Sequence, residues 1–178
     1  MHKDERHFAN AKLMLTSVGT MALIIVGCHK GSAEPACGHV EEISRRDVNG
    51  VPILPPDTND WKDMDDWCPA VEALFSDLPA VAYVNYAADS LLPVCFPNPT
   101  QDQFVLGFYR NDSSRVDVRF VDVDFQLLYR VDSIMSNSWL IDGDSIAPSD
   151  VRVVRAYYRV THTDGTAHRG HGDIQLGL

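Results

Sequence analysis

The feature that most constrains the fold is a series of alternating strand patterns that occupies residues 103–178. In RVDVRFV, Val116, Val118 and Phe120 alternate with charged residues, the period of two that is typical of a β-strand. The apolar residues then move to odd-numbered positions, which a continuous strand cannot do without a bend or a turn. We therefore expect a turn over residues 122–125 and a returning strand in QLLYRV.

The rest of this region contains further strand patterns and no helical period. Strands are expected in QFVLGFY, NSWLI, VRVVRAYYRVTH and TAHRGHGDIQLGL, with DGDSIAPSD as a loop. Asp164-Gly165, between the last two segments, is a strong hairpin signal. Six or seven strands with no helix between them predict a mostly all-β chain, with an antiparallel, Ig-like β-sandwich over residues 95–178.

Two segments precede the predicted sandwich. In residues 60–94, PAVEALF predicts one short helix with an acidic start, and AVAYVNYA predicts a linking strand. Val71, Leu74 and Phe75 fall on one face of that helix, which must dock on the sheet because two turns are not stable alone. Residues 28–59 combine Gly, Pro and charge without a sustained period, which predicts an extended, flexible tether.

The N-terminus predicts export. LMLTSVGTMALIIVG, residues 13–27, carries no charge and is shorter than the roughly 20 residues of a membrane-spanning helix. With its cationic lead it predicts a signal peptide over residues 1–27. IVGC, ending at Cys28, resembles the lipobox of bacterial lipoproteins, which implies a diacylglycerol anchor on that cysteine. His29 stands where an inner-membrane retention signal has Asp, which implies the outer membrane. An ordinary signal peptide with a chance cysteine is the alternative.

A second resemblance concerns CFPNPTQDQFVLGF followed by VDVRFVDVDFQLLYRV. These segments resemble the C-terminal sorting domain of the type IX secretion system of Bacteroidetes. The likeness covers about residues 95–178, and the matching positions are Pro97, Asn98, Pro99, residues 104–108, residues 116–121 and Asp122. It implies a seven-stranded β-sandwich that serves as an export signal rather than as a catalyst.

Two departures separate this chain from that family. Only a tether and a short helix precede the matching region, where sorting domains follow a large cargo, and residues 153–157, VVRAY, stand where that family usually has a Gly-Val-Tyr approach to its last strands. A lipobox also does not suit a cleavable tail. As a whole the chain is similar to small uncharacterised Bacteroidetes lipoproteins, which join a lipobox to such a sandwich. This resemblance implies the fold and the anchor, and not the secretion role.

The charge of the chain argues against one class of partner, and its cysteine content limits the number of disulfides. The chain has 15 Lys and Arg against 25 Asp and Glu, a net charge of −10, which opposes binding to nucleic acid. Besides Cys28, the chain contains Cys37, Cys68 and Cys95. Export permits disulfides, but three cysteines allow at most one bridge, and the sequence does not name its pair.

The C-terminal segment HTDGTAHRGHGD offers the sharpest candidate for a metal site. His162, His168, His171 and Asp173 are side chains that bind zinc or copper. A two-residue turn at Asp164-Gly165 places His162 and His168 on opposite faces of the sheet. A three-residue turn makes them diagonal neighbours, but His171 then lies on the other face. Since neither register gathers all three imidazoles, we expect histidines that face solvent.

The sequence contains neither a Ser-His-Asp or nucleophile-elbow context nor a Gly-rich phosphate loop. We therefore expect a non-enzymatic envelope lipoprotein whose sandwich is an interaction or structural module. Its expected partners are the membrane, through the acyl lipid on Cys28, and envelope proteins or glycans, with no other cofactor. The alternative is a surface module that binds a glycan or a metal ion.

Overall fold

The computed structural model describes residues 43–85, 93–108, 113–148 and 150–177. The predicted signal peptide, Cys28 and Cys37 lie outside these ranges. The described part contains nine strands and two short helices. They are β1 Lys62–Asp63, α1 Pro69–Leu74, β2 Ala82–Tyr83, β3 Val94–Phe96, β4 Gln103–Gly107, β5 Arg115–Val121, β6 Leu127–Ile134, β7 Ser138–Asp142, α2 Gly143–Ile146, β8 Val153–Thr161 and β9 Thr166–Gln175.

The strands form two sheets. The larger has the order β1-β9-β8-β5-β6, and β2 also pairs with β9; the smaller has the order β3-β4-β7. All pairs are antiparallel except β2 with β9. The prediction of a mostly β, antiparallel sandwich is confirmed. The expected loop DGDSIAPSD differs, because α2 forms a single turn in which the Asp144 amide donates to the side chain of the N-cap residue Asp142.

The predicted turn after β5 is also confirmed. Asp122 Oδ1 accepts the backbone amides of Asp124 at 3.0 Å and Gln126 at 2.8 Å, and Phe125 has a φ of 62°. Asp is favoured in such turns because its carboxylate can hold the following amides. The turn reverses the chain into β6. Val121, where the apolar phase changes, is still in β5 and is buried on the opposite face from Val116, Val118 and Phe120.

The apolar face of β5 lies between the two sheets, as its alternation predicts. Val116, Val118 and Phe120 are fully buried there and pack with residues of the small sheet and of β9, among them Phe104, Leu106, Ile141 and Ile174. Burial of these side chains supplies the main driving force that holds the sheets together.

The outer faces of β5, β8 and β9 are largely buried as well, because the segment that carries α1 packs against them. Val71 and Phe75 of the α1 segment contact Trp67, Val121 and Tyr157 in a second hydrophobic cluster, so the predicted docking of the helix is confirmed. The polar face of β5 is consequently removed from water.

Ion pairs join the sheet to this covering segment. Arg119, whose side chain is fully buried, bonds Asp77 at 3.1 Å and Asp132 at 2.5 Å, and its Nε donates to the Leu74 carbonyl. Within the sheet, Arg159 on β8 bonds the buried carboxylate of Asp117 on β5 at 2.9 Å. Arg159 also donates to the Pro79 carbonyl of the covering segment at 3.1 Å. A buried charge requires such partners, because it is otherwise very costly to desolvate.

The structure differs from the predicted tether over residues 43–59, which pack against the sandwich. The backbones of Arg46 and Asn98 bond each other through both amides, at 2.8 and 3.0 Å. The Asn98 side chain donates to the Ser44 and Asp173 carbonyls and accepts the Gln175 amide. The Pro-Asn-Pro motif therefore connects this segment to β9, a role that requires contacts between distant parts of the chain.

Candidate functional site

A cavity of about 460 Å³ lies at the edge of β9 that faces away from β8. β1 pairs with His171 and Gly170 on this edge, while β2 pairs with Thr166 and Ala167. His168 therefore lies where one short strand gives way to the other. The cavity is lined by residues of the 44–65 segment, by Val84, Asn85, Pro93 and Val94, and by His168 and Arg169.

A chain of polar contacts runs from the cavity into the sandwich. Tyr158 donates its hydroxyl to Asp63 Oδ1 at 3.0 Å, and His168 Nε2 lies 4.0 Å from the same oxygen. On its other side, His168 Nδ1 lies 2.9 Å from His162 Nε2. The contacts connect a carboxylate of the cavity with His168 and, through it, with His162.

Burial sets the protonation of this network. Burial raises the pKa of Asp63, an effect that the Tyr158 hydrogen bond partly offsets. Burial and the neighbouring Asp63 carboxylate raise the pKa of Tyr158 well above its usual value. Burial, with a smaller contribution from His162, lowers the pKa of His168 to about 4. At neutral pH the imidazole of His168 is therefore neutral and the phenol of Tyr158 is protonated.

Asp60 and Arg169 give the cavity its shape. The Asp60 carboxylate accepts the backbone amides of Ser44 and Asp173, both at 2.6 Å, and burial raises its pKa to about 6. Arg169 bonds the carboxylates of Asp66 and Glu72. Its guanidinium also lies 3.9 Å from the ring centroid of Tyr83, within the range of a cation–π contact.

The proposed metal ligands do not converge. The β8–β9 register pairs Thr161 with Ala167, so the loop has three residues and His162 approaches His168, one of the two arrangements that the sequence allows. His171 lies on the opposite face, with Nδ1 2.9 Å from Met64 Sδ. Asp173 forms two hydrogen bonds with Arg155, at 2.7 and 2.6 Å. Within the described ranges, no group of three His, Cys, Asp or Glu side chains is placed to hold a metal ion.

Two of these histidines differ from the expectation that they face solvent. His168 and His171 are only 3% and 5% exposed. His168 lies at the cavity between Asp63 and His162, and Met64 of the β1–α1 segment contacts His171. A strand pattern shows which side of a sheet a residue occupies, but not what packs on that side.

The pH dependence of stability follows from His171. Burial, with smaller contributions from the positive charges of Arg155 and Lys62, lowers its pKa from 6.5 to about 3. Below pH 6.5 the unfolded chain binds a proton that the folded chain does not, so the stabilisation present above 6.5 is lost as the pH falls. Relative to His171→Gln, we expect the wild-type chain to lose about 2 kcal/mol of unfolding free energy between neutral pH and about pH 4.5. Urea unfolding at a series of pH values measures the free energy of unfolding of both proteins. If this free energy changed with pH in the same way for the wild-type chain and for His171→Gln, the prediction would be contradicted.

The cysteines occupy different environments. Cys68 is disulfide-bonded, whereas Cys95 is a free thiol in the sandwich core. The other half of the Cys68 bridge therefore lies outside the described residues. Burial raises the pKa of Cys95 well above its usual value, so its thiol is unreactive.

Sequence reasoning missed the residues that form the cavity. Asp60, Trp61 and Asp63 fall in a segment that was expected to lead into a helix, and β1 is too short to show a period. The sequence signal that could have indicated them is composition, because DWKDMDDW places four Asp and two Trp within eight residues.

No helix in the described residues is long and apolar enough to cross a membrane. Comparison of the chain with protein-family models, curated proteins and solved structures gives no match.

Proposed function

We propose that this chain is a lipid-anchored protein of the cell envelope, held at the outer membrane through Cys28, whose β-sandwich is a non-catalytic interaction module. The sequence IVGC, whose first three residues end a run of fifteen uncharged residues and whose cysteine follows it, carries the proposal of an anchor. Two or three acyl chains on one cysteine bind a bilayer far more strongly than one chain does.

The use of polar groups around the cavity supports a binding role over a catalytic one. Both oxygens of Asp60 accept backbone amides, and two carboxylates neutralise Arg169. Groups engaged in this way maintain the shape of a site and are poorly placed to exchange protons with a substrate. The cavity itself favours a second candidate function, a module that binds a small ligand, because small-molecule sites are concave with a few convergent polar groups.

We expect Cys28→Ala to abolish incorporation of radiolabelled palmitate and to move the protein out of the membrane fraction. The physical reason is that the thiol of Cys28 is the proposed attachment point of the lipid. Cys95→Ala is the matched control, because it removes a thiol from the sandwich core and should leave labelling unchanged. Undiminished labelling of Cys28→Ala would contradict the anchor.

An exposed aliphatic loop supports the interaction role. Val48, Ile53 and Leu54 are 71%, 59% and 56% exposed. Asp47 Oδ1 fixes the loop by accepting the amides of Asn49 and Val51, both at 2.9 Å. Clustered apolar side chains in water are typical of contact surfaces between proteins.

We expect a photo-crosslinking residue at Ile53 to capture an envelope protein in cells, because this loop presents its side chains to solvent. The same residue at Asp124, in the exposed turn after β5, is the matched control and should capture little. The adducts, identified by mass spectrometry, should disappear with Cys28→Ala. Equal capture at both positions would contradict the assignment of this surface.

A further inference from the structure

We propose that the cavity beside β9 binds a small aliphatic zwitterion, a molecule in which an ammonium group and an oxygen acceptor are joined to one short hydrocarbon chain. The inference rests on the ligand-binding role proposed above and is independent of the lipid anchor.

The ammonium group would bind Asp63. Its Oδ1 accepts the Tyr158 hydroxyl at 3.0 Å, while Oδ2 has no hydrogen-bond partner in the described chain. The side chain is 20% exposed and lines the cavity. A carboxylate with one oxygen held in place and the other open is oriented to accept an N–H donor from a cation.

The oxygen acceptor would bind at two donors that line the same cavity. The indole Nε1 of Trp61 and the guanidinium Nε of Arg46 are buried, and neither has an acceptor in the described part of the chain. Trp61 is only 5% exposed as a whole. A third donor of a lining residue, Arg169 Nε, is also buried without an acceptor in the described part of the chain. Since buried donors are normally hydrogen-bonded, such donors around one cavity indicate a ligand that supplies the acceptor.

The remaining lining and the volume define the body of the ligand. The apolar side chains of Pro56, Met64, Val84, Pro93 and Val94 form much of the wall. A volume of about 460 Å³ lies toward the small end of the range for ligand pockets. The short aliphatic chain of the ligand would therefore lie against this wall, beside its two polar groups.

Charge favours a ligand with a cationic group over a simple anion. The lining contains the carboxylates of Asp57, Asp60, Asp63 and Asp65 and the cationic side chains of Arg46, Lys62 and Arg169. Arg169 is already neutralised by two carboxylates. The chain as a whole has a net charge of −10, which attracts cations and repels anions at long range.

Isothermal titration calorimetry on the full chain in detergent tests the proposal with three probes of one shape. Leucine carries both groups, isopentylamine carries only the ammonium, and isocaproate carries only the carboxylate. We expect leucine to bind one-to-one with a dissociation constant of about 1 mM or tighter, and each of the other two about tenfold more weakly. Equal binding of leucine and isocaproate, or no binding of leucine, would overturn the proposal.

Two variants test whether Asp63 binds the ammonium group. Asp63→Asn should weaken leucine and isopentylamine about tenfold and leave isocaproate unchanged, since Asn retains an acceptor for Tyr158 but loses the charge. Asp57→Asn, on the same lining, is the matched control and should change leucine binding less than twofold. Leucine binding unaffected by Asp63→Asn would overturn the assignment.

A third variant applies if Asp63→Asn does not fold. Val84→Trp fills the cavity without altering its polar groups and should abolish binding of all three probes. Retained leucine binding to Val84→Trp would overturn the proposal. Absence of leucine binding together with normal palmitate labelling at Cys28 would reject the ligand and leave the anchored lipoprotein intact.

Discussion

Replacement of Asp117 by Ala is expected to lower the free energy of unfolding by about 3–5 kcal/mol, because it leaves the charge of Arg159 buried. The two side chains are 2% and 3% exposed, and Asp117 Oδ2 accepts hydrogen bonds from Arg159 Nε at 3.2 Å and Nη2 at 2.9 Å. Asp117 Oδ1 also accepts the Ser133 amide at 2.9 Å. In the variant, the Pro79 carbonyl would be the remaining hydrogen-bond acceptor of Arg159 within the described residues.

Chemical denaturation of two further variants separates this effect from a general loss of charge. Arg130→Ala removes an exposed partner of Asp77 and should cost at most about 1 kcal/mol. The double variant Asp117→Leu with Arg159→Met should be more stable than Asp117→Ala, because it removes both charges and retains most of the buried volume. A cost for Asp117→Ala as small as that for Arg130→Ala would show that Arg159 does not need its partner.

Gly172→Ala is expected to lower the free energy of unfolding by about 3 kcal/mol or to prevent folding, since overpacking a core forces rigid groups apart. A Cβ atom at Gly172 would lie 2.1 Å from Cδ2 of the Trp61 indole and 2.3 Å from Cε2. Trp61 is buried in the sandwich core and immediately precedes β1, so the ring cannot move without displacing that strand.

Gly107→Ala is the matched control for this prediction. Its Cβ would meet the flexible Val94 side chain at 3.3 Å, so we expect a cost of about 1 kcal/mol or less. The double variant Gly172→Ala with Trp61→Ala should cost less than the sum of the two single variants, because the second change removes the clash. Thermal and urea unfolding measure the free energy of unfolding of Gly107→Ala, of Gly172→Ala, of Trp61→Ala and of the double variant, each relative to the wild-type chain. Additive costs would contradict the proposed contact between Gly172 and Trp61.

The β8–β9 hairpin shows how far sequence reasoning reached into the candidate site. Asp164-Gly165 located the hairpin, but both a two-residue and a three-residue loop remained open. Gly165 adopts a φ of 84° and its amide bonds the His162 carbonyl at 3.1 Å in the three-residue loop. The choice between these registers decided which histidines are neighbours, and local sequence does not make that choice.

The sequence alone determined the class of fold, since a period of two specifies strands, and a change of phase or an Asp-Gly pair specifies where they turn. Only the tertiary structure decided that the polar face of a strand such as β5 is buried as well as its apolar face. The polar face of β5 is covered because a distant segment carries Asp77 to Arg119. The cavity likewise depends on contacts such as the one that joins Asp60 to the Asp173 amide. Alternation reflects which side of a strand a residue takes, whereas burial depends on which remote part of the chain lies on that side.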